Sequence, residues 1–294
     1  MLPPIGFILL THTKPHQIIR LVNRLNLMFD HPPIVCHHDF SKSDLPIDAL
    51  SKNILLVHPH IKTEWGKFSI VESTLQAFRL MYQRTASPDW CILLSGADYP
   101  IKPAGQILDD LASISYDVCI KNEEIKYNAY ERNWQKTCYE RYCTVKCQFP
   151  FPNRNLRLTK RNLTLLKHPL LTKYFLPFST KLRCFAGAEW FCANRKAAEY
   201  LIEFHGTNPS LASHYCRVEI PDESYYQTIL CNNPHLKIKN DNLRYIDWSR
   251  EGNHPKILMF EDMPKLLASS AHFARKFDAD IDIRILDELD AIIR

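Results

Sequence analysis

The first 120 residues alternate short apolar runs with segments of helical periodicity, and this alternation constrains the fold more than any other feature of the chain. The apolar runs cover residues 5–11, 33–36, 53–57, 90–94 and 118–120. Between them, apolar residues recur at helical spacing over 16–28, 68–81 and 103–114. Strands that alternate with helices predict an α/β fold, with a mostly parallel central sheet covered by helices on both faces.

The segment from about residue 128 to 183 breaks this pattern. It is basic and aromatic, and Pro150 and Pro152 interrupt it. We interpret it as a basic helical insertion, with helices near 129–142 and 158–174. The alternation then resumes with a strand at 184–193, a helix at 195–204, a helix from Pro221, a strand at 243–248 and helices at 264–270 and 282–293.

The insertion carries a strong positive charge. No acidic residue lies between Glu140 and Glu189. The ten basic residues between them are Arg141, Lys146, Arg154, Arg157, Lys160, Arg161, Lys167, Lys173, Lys181 and Arg183. Such a block suits an anionic partner, such as lipid headgroups, a nucleotide or an acidic glycan, or it is a solvated face without a partner. No nucleic-acid-binding motif accompanies it, so we expect no nucleic-acid partner.

Several enzyme classes are excluded by missing motifs. The seven glycines form neither GxGxxG nor a P-loop, and neither GxSxG nor HExxH occurs.

Neither a signal peptide nor an apolar stretch of roughly 18 residues is visible, so we expect a cytoplasmic protein. The ten cysteines contain no CxxC pair. Reduced thiols are therefore expected, with disulfides or a metal cluster as the alternatives.

The stretch Pro221-Asp222-Glu223 begins a segment of helical character. Asp222 is suited to cap the helix, which would place Glu223 in its first turn, where the helix dipole favours the ionised carboxylate. An ionised carboxylate is what a general base requires. Taken alone, the same residues also describe an ordinary capped helix.

Eight stretches of the chain together resemble one family, the core-2/I-branching β-1,6-N-acetylglucosaminyltransferases with the related peptide xylosyltransferases. They are Thr11-His12-Thr13-Lys14; Glu64-Trp65-Gly66 with Ser69-Ile70-Val71-Glu72; Leu94 to Lys102; Gly187-Ala188-Glu189-Trp190-Phe191; Pro221-Asp222-Glu223; Tyr245-Ile246-Asp247-Trp248; His254-Pro255-Lys256; and Phe273 to Asp278. The chain differs from the animal enzymes in its short, basic middle region, and we expect it to lack their membrane anchor and stem. It therefore resembles the compact bacterial members.

The resemblance implies a GT-A-type nucleotide-sugar fold in a single domain, residues 1–294. Residues 1–125 would bind the nucleotide sugar, 126–183 would form the basic insertion, and 184–294 would hold the acceptor and the catalytic residues. The implied reaction is inverting, metal-independent transfer of N-acetylglucosamine from UDP-GlcNAc to a hydroxyl of a glycan or glycolipid acceptor, forming a β linkage, with no cofactor.

Roles for single residues follow from the same resemblance. Glu223 matches the family's catalytic base, and Lys256 and Lys276 match the two basic residues that replace a metal at the diphosphate. Asp98 is expected at the donor's ribose or sugar, or else as the cap of the next turn. The uridine is expected at Thr11, His12 and Asp39, and the acceptor or sugar at Trp190, Trp248 and Glu189. Either tryptophan could instead belong to the core.

Two alternatives for a metal site are weaker. His37 and Asp39 share one face of a strand and could ligate a metal. Asp278-Ala279-Asp280 imitates the Asp-x-Asp of many metal-dependent sugar transferases, but it precedes the last helix and is expected to cap it.

Three other functions remain open: a xylosyltransferase that uses UDP-xylose, a catalytically silent sugar-nucleotide or glycan-binding protein, and a scaffold on a membrane surface. For the enzyme too, residues 141–183 could face an anionic membrane from the cytoplasmic side.

Overall fold

The computed structural model describes residues 4–84, 88–127, 133–152, 158–250, 252 and 254–293, and it describes only the backbone at 133, 148–152 and 158–162. Its strands are β1 (Ile5–Thr11), β2 (Ile34–His38), β3 (Ile54–Leu56), β4 (Trp90–Ser95), β5 (Tyr99–Pro100), β6 (Val118–Ile120), β7 (Glu123–Glu124), β8 (Val145–Pro152), β9 (Leu158–Leu166), β10 (Phe185–Ala186), β11 (Phe191–Asn194), β12 (Ile238–Lys239), β13 (Arg244–Ile246) and β14 (Phe273–Arg275).

The helices are α1 (Pro15–Phe29), α2 (Ser69–Arg84), α3 (Ala104–Ser113), α4 (Asn133–Tyr142), α5 (Pro169–Thr172), α6 (Arg195–Thr207), α7 (Pro209–Tyr215), α8 (Tyr225–Cys231), α9 (Met263–Ala268) and α10 (Arg284–Ile292). Three short 3-10 helices cover Ile47–Ala49, Pro221–Glu223 and Phe260–Asp262.

A seven-stranded sheet in the order β12-β6-β11-β4-β1-β2-β3 forms the centre of the molecule. Strands β3, β2, β1 and β4 are parallel to one another, whereas β11 runs antiparallel to both β4 and β6. This arrangement confirms the predicted α/β class with a mostly parallel sheet.

Helices cover both faces of the sheet, as the surroundings of two β1 residues illustrate. Ile8 belongs to the core cluster that includes Val71 and Phe78 of α2, while Leu9 belongs to the cluster that includes Leu21 of α1. Successive residues of a strand point to opposite faces, so a continuous apolar run serves two helical layers. Ile8, Leu9, Leu21, Val71 and Phe78 are all fully buried.

Two smaller sheets lie near the carboxyl ends of the central strands and carry candidate site residues. Strand β14 pairs with β13 in parallel and with β5 antiparallel. Strand β10 pairs with β7. The predicted strand 184–193 is thus two strands, β10 and β11, separated by the loop that contains Gly187 and Glu189.

The basic insertion is not helical throughout, and the helix predicted at 158–174 is wrong. Residues 158–166 form β9, which pairs antiparallel with β8, and helix α5 covers only Pro169–Thr172. The other predicted helix corresponds to α4, and residues 128–132 lie outside the described residues. So do Arg154 and Arg157, and the side chains of Lys160 and Arg161.

Two further features bear on the expectations from the sequence. All ten cysteines are free thiols. Among the described residues, no helix combines the length and apolar character needed to cross a bilayer. The division into two halves and an insertion stays a prediction.

Candidate active site

A cleft of about 750 Å³ gathers four of the predicted site residues, Glu189, Trp190, Glu223 and Trp248. Its other lining residues are Trp65, Lys121, Asn122, Glu123, Trp134, Ala186, Gly187, Ala188, Ile220, Asp222, Asn240, Ile246, His254, Pro255 and Arg275. The lining combines carboxyl groups with tryptophan rings, which is a suitable composition for a sugar: hydroxyls hydrogen-bond to carboxylates, and C–H faces pack on aromatic rings.

Glu223 lies in the 3-10 helix Pro221–Glu223, and its side chain is 39 % exposed to the cleft. Arg141 of α4 places Nη1 3.3 Å from Glu223 Oε2. Desolvation raises the pKa of Glu223 above its ordinary value, and the positive charge of Arg141 opposes that shift. A carboxylate whose pKa lies above its usual range is a better proton acceptor near neutral pH.

The backbone around Glu223 is fixed from both sides. Ile220 adopts φ 51°, a left-handed conformation that is costly for a β-branched residue. Its N–H donates to Gly66 O (3.0 Å), and its carbonyl accepts from the hydroxyl of Tyr142 (2.7 Å). Helix α4 therefore supplies both the cation beside Glu223 and a hydrogen bond that holds the preceding turn.

Gly187 approaches this turn from the other side. Its N–H donates to Glu223 O (2.8 Å). A Cβ on Gly187 would lie 1.8 Å from Lys121 O, so only glycine fits between Lys121 and the turn. Behind the turn, the buried hydroxyl of Ser224 donates to Phe185 O (2.6 Å) and lies 2.6 Å from the Tyr215 hydroxyl oxygen.

Asp222 does not cap the helix, so that prediction is wrong. Pro221–Glu223 is a 3-10 turn, and helix α8 begins only at Tyr225. Glu223 therefore lies outside the first turn of α8, and its pKa rises instead of falling as the dipole argument predicted. Asp222 is buried, and its Oδ1 has no hydrogen-bond partner among the described residues. Burial raises the pKa of Asp222 to about 7.

Glu189 is a third carboxyl group in the cleft. Desolvation and the negative charge of Asp222 raise the pKa of Glu189 well above its usual range. The guanidinium of Arg275 opposes this shift and lies 4.2 Å from the centroid of the Trp190 ring. Arg275 Nε is buried without a hydrogen-bond partner among the described residues. The Nε–H group of Arg275 is therefore available to an acceptor atom of a ligand.

The tryptophans differ in exposure. Trp190 is 6 % exposed and lies under Arg275, so much of its ring belongs to the core. Trp248 is 59 % exposed, Trp65 64 % and Trp134 42 %, and all three line the cleft. Large exposed rings around one cleft indicate a binding surface more than a packing role.

Lys256 and Lys276 do not line this cleft, but each follows a residue that does, Pro255 and Arg275. The N–H of Leu258 donates to Lys276 O (2.9 Å), so the two lysines lie on adjoining segments. Lys256 is bound by Asp262, with Nζ 2.6 and 2.8 Å from the two carboxylate oxygens, and this contact raises the pKa of Lys256. Desolvation and the charge of Arg275 lower the pKa of Lys276.

His12 lies on the Lys276 side of the site. Desolvation lowers the pKa of His12, and the positive charges of Lys42 and Lys276 act in the same direction. Thr11 ends β1 and places Oγ1 2.9 Å from His38 Nδ1. These residues form a second group outside the cleft lining.

Asp39 and Asp98 are both bound by protein groups, although Asp98 Oδ1 accepts no hydrogen bond among the described residues. Asp39 is buried and accepts hydrogen bonds from Ser41 and Thr63, which lower its pKa although burial opposes them. Asp98 is fully buried, accepts from Ser95 N (2.7 Å), and lies 3.4 Å from Arg244 Nε. Asp98 therefore caps the turn after β4, the alternative raised from the sequence. A donor contact for either aspartate stays a prediction.

The two weaker metal alternatives have other partners here. His37 Nε2 accepts from Ile61 N (2.9 Å). Asp278 and Asp280 bind Lys14 at the start of α1, and Asp280 also contacts His16 (3.2 Å). Helix α10 begins later, at Arg284, so the prediction that Asp278-Ala279-Asp280 caps it is wrong. No group of three or more His, Cys, Asp or Glu side chains within the described ranges could hold a metal ion.

Several residues with chemistry useful at the cleft were not predicted from the sequence as site residues. Among them are Trp65, Trp134, Asp222 and Arg275 of the lining, and Arg141 beside Glu223. Trp65, Asp222 and Arg275 lie inside stretches that carried the resemblance, so attention to whole motifs could have identified them. Arg141 and Trp134 come from the insertion, and no motif marked them.

A family model described as Core-2/I-Branching enzyme matches residues 5–267. The chain is 26% identical over 228 residues to beta-glucuronosyltransferase GlcAT14A from Arabidopsis thaliana, covering 76% of this chain and 46% of that protein. It is 24% identical over 313 residues to xylosyltransferase 1 from Mus musculus, covering 98% of this chain and 30% of that protein. It is 25% identical over 271 residues to xylosyltransferase sqv-6 from Caenorhabditis elegans, covering 83% of this chain and 30% of that protein. The chain thus spans less than half the length of each of these relatives.

Proposed function

Because the chain belongs to the Core-2/I-branching enzyme family, we propose that it is an inverting glycosyltransferase that moves a sugar from a UDP-sugar to a hydroxyl of a glycan or glycolipid acceptor. The seven-stranded α/β sheet agrees with the GT-A-like fold of such enzymes. Inverting transfer is a single in-line displacement at the anomeric carbon. It requires a base for the acceptor hydroxyl and positive charge for the departing diphosphate.

The placement of Glu223 carries the proposal. It is the carboxyl group that combines exposure to the cleft, a raised pKa and a cation, Arg141, that retains the ionised form. In the proposed reaction Glu223 takes the proton of the acceptor hydroxyl as that oxygen attacks the anomeric carbon. The bond from that carbon to the diphosphate oxygen breaks, and UDP leaves.

Positive side chains beside the cleft support stabilisation of UDP without a divalent metal. Arg275 lines the cleft, and Lys276 and Lys256 lie on the adjoining segments. We assign the diphosphate to Lys256 and Lys276, as the family resemblance implies, and add Arg275. The contact with Asp262 keeps Lys256 charged. Lys276 is more desolvated, so the charge of Lys276 acts more strongly on a bound anion.

The acceptor is assigned to the open side of the cleft, where Trp65, Trp134 and Trp248 are exposed. Glu189 and Asp222 provide hydrogen-bonding groups for sugar hydroxyls. With raised pKa values these carboxyls can donate as well as accept hydrogen bonds. Carboxyl groups that lie beside flat apolar rings favour a neutral saccharide as the acceptor.

For the donor we propose UDP-N-acetylglucosamine, with UDP-xylose as the second candidate because relatives are named xylosyltransferases. A relative is also named a glucuronosyltransferase. A glucuronate carboxylate would share the cleft with Glu223, whose ionised form Arg141 retains, and like charges repel. UDP-glucuronate is therefore expected to be the poorest of the three donors.

The experiment is a donor panel. The purified chain is incubated with UDP-GlcNAc, UDP-xylose or UDP-glucuronate, with and without a mixture of glycan acceptors, and UDP release is measured with and without EDTA. Release from one donor that is stimulated by acceptor and survives EDTA is expected. Binding of all three without release would indicate a silent binding protein. Release that depends strictly on Mn²⁺ would overturn the metal-free assignment.

A further inference from the structure

The segment after β9 exposes an apolar helical face. Backbone hydrogen bonds continue helix α5 from Pro169 as far as Leu176, whose N–H donates to Thr172 O (3.0 Å). At about 100° per residue, Leu170, Leu171, Tyr174 and Phe175 occupy one continuous arc of roughly 140°. They are 63, 51, 73 and 67 % exposed, while Thr172 on the opposite side is buried.

Two leucines of the hairpin extend this face. Leu163 and Leu165 of β9 are 54 and 53 % exposed. Leu163 pairs with Cys147, which lines a cavity of about 730 Å³ together with Tyr174 and Phe175. Leu163 therefore belongs to the strand pair that borders the cavity lined by Tyr174 and Phe175. We call the six side chains at 163, 165, 170, 171, 174 and 175 the apolar face.

Positive charge surrounds the apolar face. Lys173 and Lys181 are exposed, and Lys173 Nζ lies 4.9 Å from the centroid of the Tyr174 ring. Lys167 is exposed too, with its Nζ 3.0 Å from Glu140 Oε1. The cavity beside the face contains two more cations, Lys146 and Arg217. Burial lowers the pKa of Lys146, and the negative charges of Glu219 and Glu140 act in the opposite direction. The sequence contains no acidic residue between Glu140 and Glu189.

We infer that the apolar face and its lysines form a surface that binds an anionic lipid bilayer. Leucine, tyrosine and phenylalanine side chains would enter the headgroup boundary, lysines would contact lipid phosphates, and the cavity with Lys146 and Arg217 would accept a headgroup. A second copy of the chain fits less well, because an isologous contact would bring two blocks of positive charge together. The inference does not depend on the proposed transferase activity.

The test is vesicle co-sedimentation of the full chain. Vesicles are made from phosphatidylcholine alone and from an equimolar mixture of phosphatidylcholine and phosphatidylglycerol. The first variant replaces Leu171, Tyr174 and Phe175 by serine, and the second is Lys173→Glu with Lys181→Glu. The matched control replaces Leu27, Ile281 and Ile292 by serine, which are 74, 53 and 41 % exposed elsewhere on the molecule. UDP affinity and thermal melting monitor folding.

The expected result is binding to the anionic vesicles that salt weakens, and a decrease of about tenfold or more in both variants but not in the control. Absence of wild-type binding to anionic vesicles would overturn the inference. So would equal binding by the two variants and the control. If the serine variant instead converts a dimer to a monomer in light scattering, without any vesicle binding by the wild type, the face is a contact between copies and the inference is wrong.

Discussion

Arg141 should control the pH at which this protein works, because it is the cation closest to the carboxyl group that we assign as base. Its Nη1 lies 3.3 Å from Glu223 Oε2, and it opposes the effect of burial on the pKa of Glu223. Replacement by glutamine removes the charge but keeps a polar side chain. The pKa of Glu223 is then expected to rise further.

The size of the effect follows from the exposure of the pair. The Glu223 side chain is 39 % exposed, so solvent screens the interaction, and we take about 1 kcal/mol, the upper end for partly exposed ion pairs. At 1.36 kcal/mol per pKa unit this corresponds to roughly 0.7 unit. A base with a higher pKa is ionised only at higher pH. The acidic limb of kcat/KM should therefore move up by about 0.7 pH unit, a loss of about fivefold below both midpoints and little change above them.

The assay is the pH profile of kcat/KM for UDP release in the presence of acceptor. Arg195→Gln is the control, because it removes the same charge from a surface pair with Glu199 (3.2 Å) and does not line the cleft. Arg141→Lys should show a smaller shift than Arg141→Gln. An acidic limb that stays in place in Arg141→Gln, or moves to lower pH, would refute the role assigned to the Arg141–Glu223 contact.

Two further predictions concern other parts of the site. Lys276→Ala should weaken UDP binding by about tenfold in calorimetry, since a desolvated lysine interacts strongly with a diphosphate; affinity within error of the wild type would remove Lys276 from the donor site. Gly187→Ala should lower the melting temperature by several degrees, since its Cβ would meet Lys121 O at 1.8 Å and such overpacking costs about 1–3 kcal/mol or more. Gly105→Ala is the matched control: it lies in α3 with nothing within 4 Å of its Cβ, and it should be neutral or stabilising. Equal melting temperatures for the two glycine variants would contradict the close-packing explanation.

The central sheet was predictable because its strands are buried on both faces and read as continuous apolar runs. Ile5–Thr11 and Trp90–Ser95 appear where the sequence indicated them. The hairpin was missed because Leu163 and Leu166 imitate helical spacing. The partner strand, Val145–Pro152, contains two prolines that indicate a break. A two-stranded hairpin tolerates prolines, but only the pairing with Leu158–Leu166 reveals that strand.

The site residues that lie inside the family motifs were predictable from the sequence. Glu223, Glu189, Trp190 and Trp248 come together in one cleft as the resemblance implied. The backbone structure around Glu223 was harder to predict from the sequence. The start of α8 at Tyr225 depends on a 3-10 turn at Pro221–Glu223.

The pKa shifts and ion pairs of the site were the hardest features to predict from the sequence. The sign of the pKa shift of Glu223 depends on burial by the surrounding chain, which local sequence does not reveal. Arg141 reaches Glu223 across 82 residues of sequence, and no local pattern reports a contact of that kind.

The most direct test of the proposed function is Glu223→Gln, which keeps the size and polarity of the side chain but removes its ability to accept a proton. General-base catalysis contributes about 100-fold to 10,000-fold, so UDP transfer should fall by at least about 100-fold. UDP affinity should remain nearly unchanged, because Glu223 lies in the cleft and the diphosphate is assigned to Lys256, Lys276 and Arg275. Transfer at the wild-type rate with normal UDP binding would contradict the assignment of Glu223 as the base.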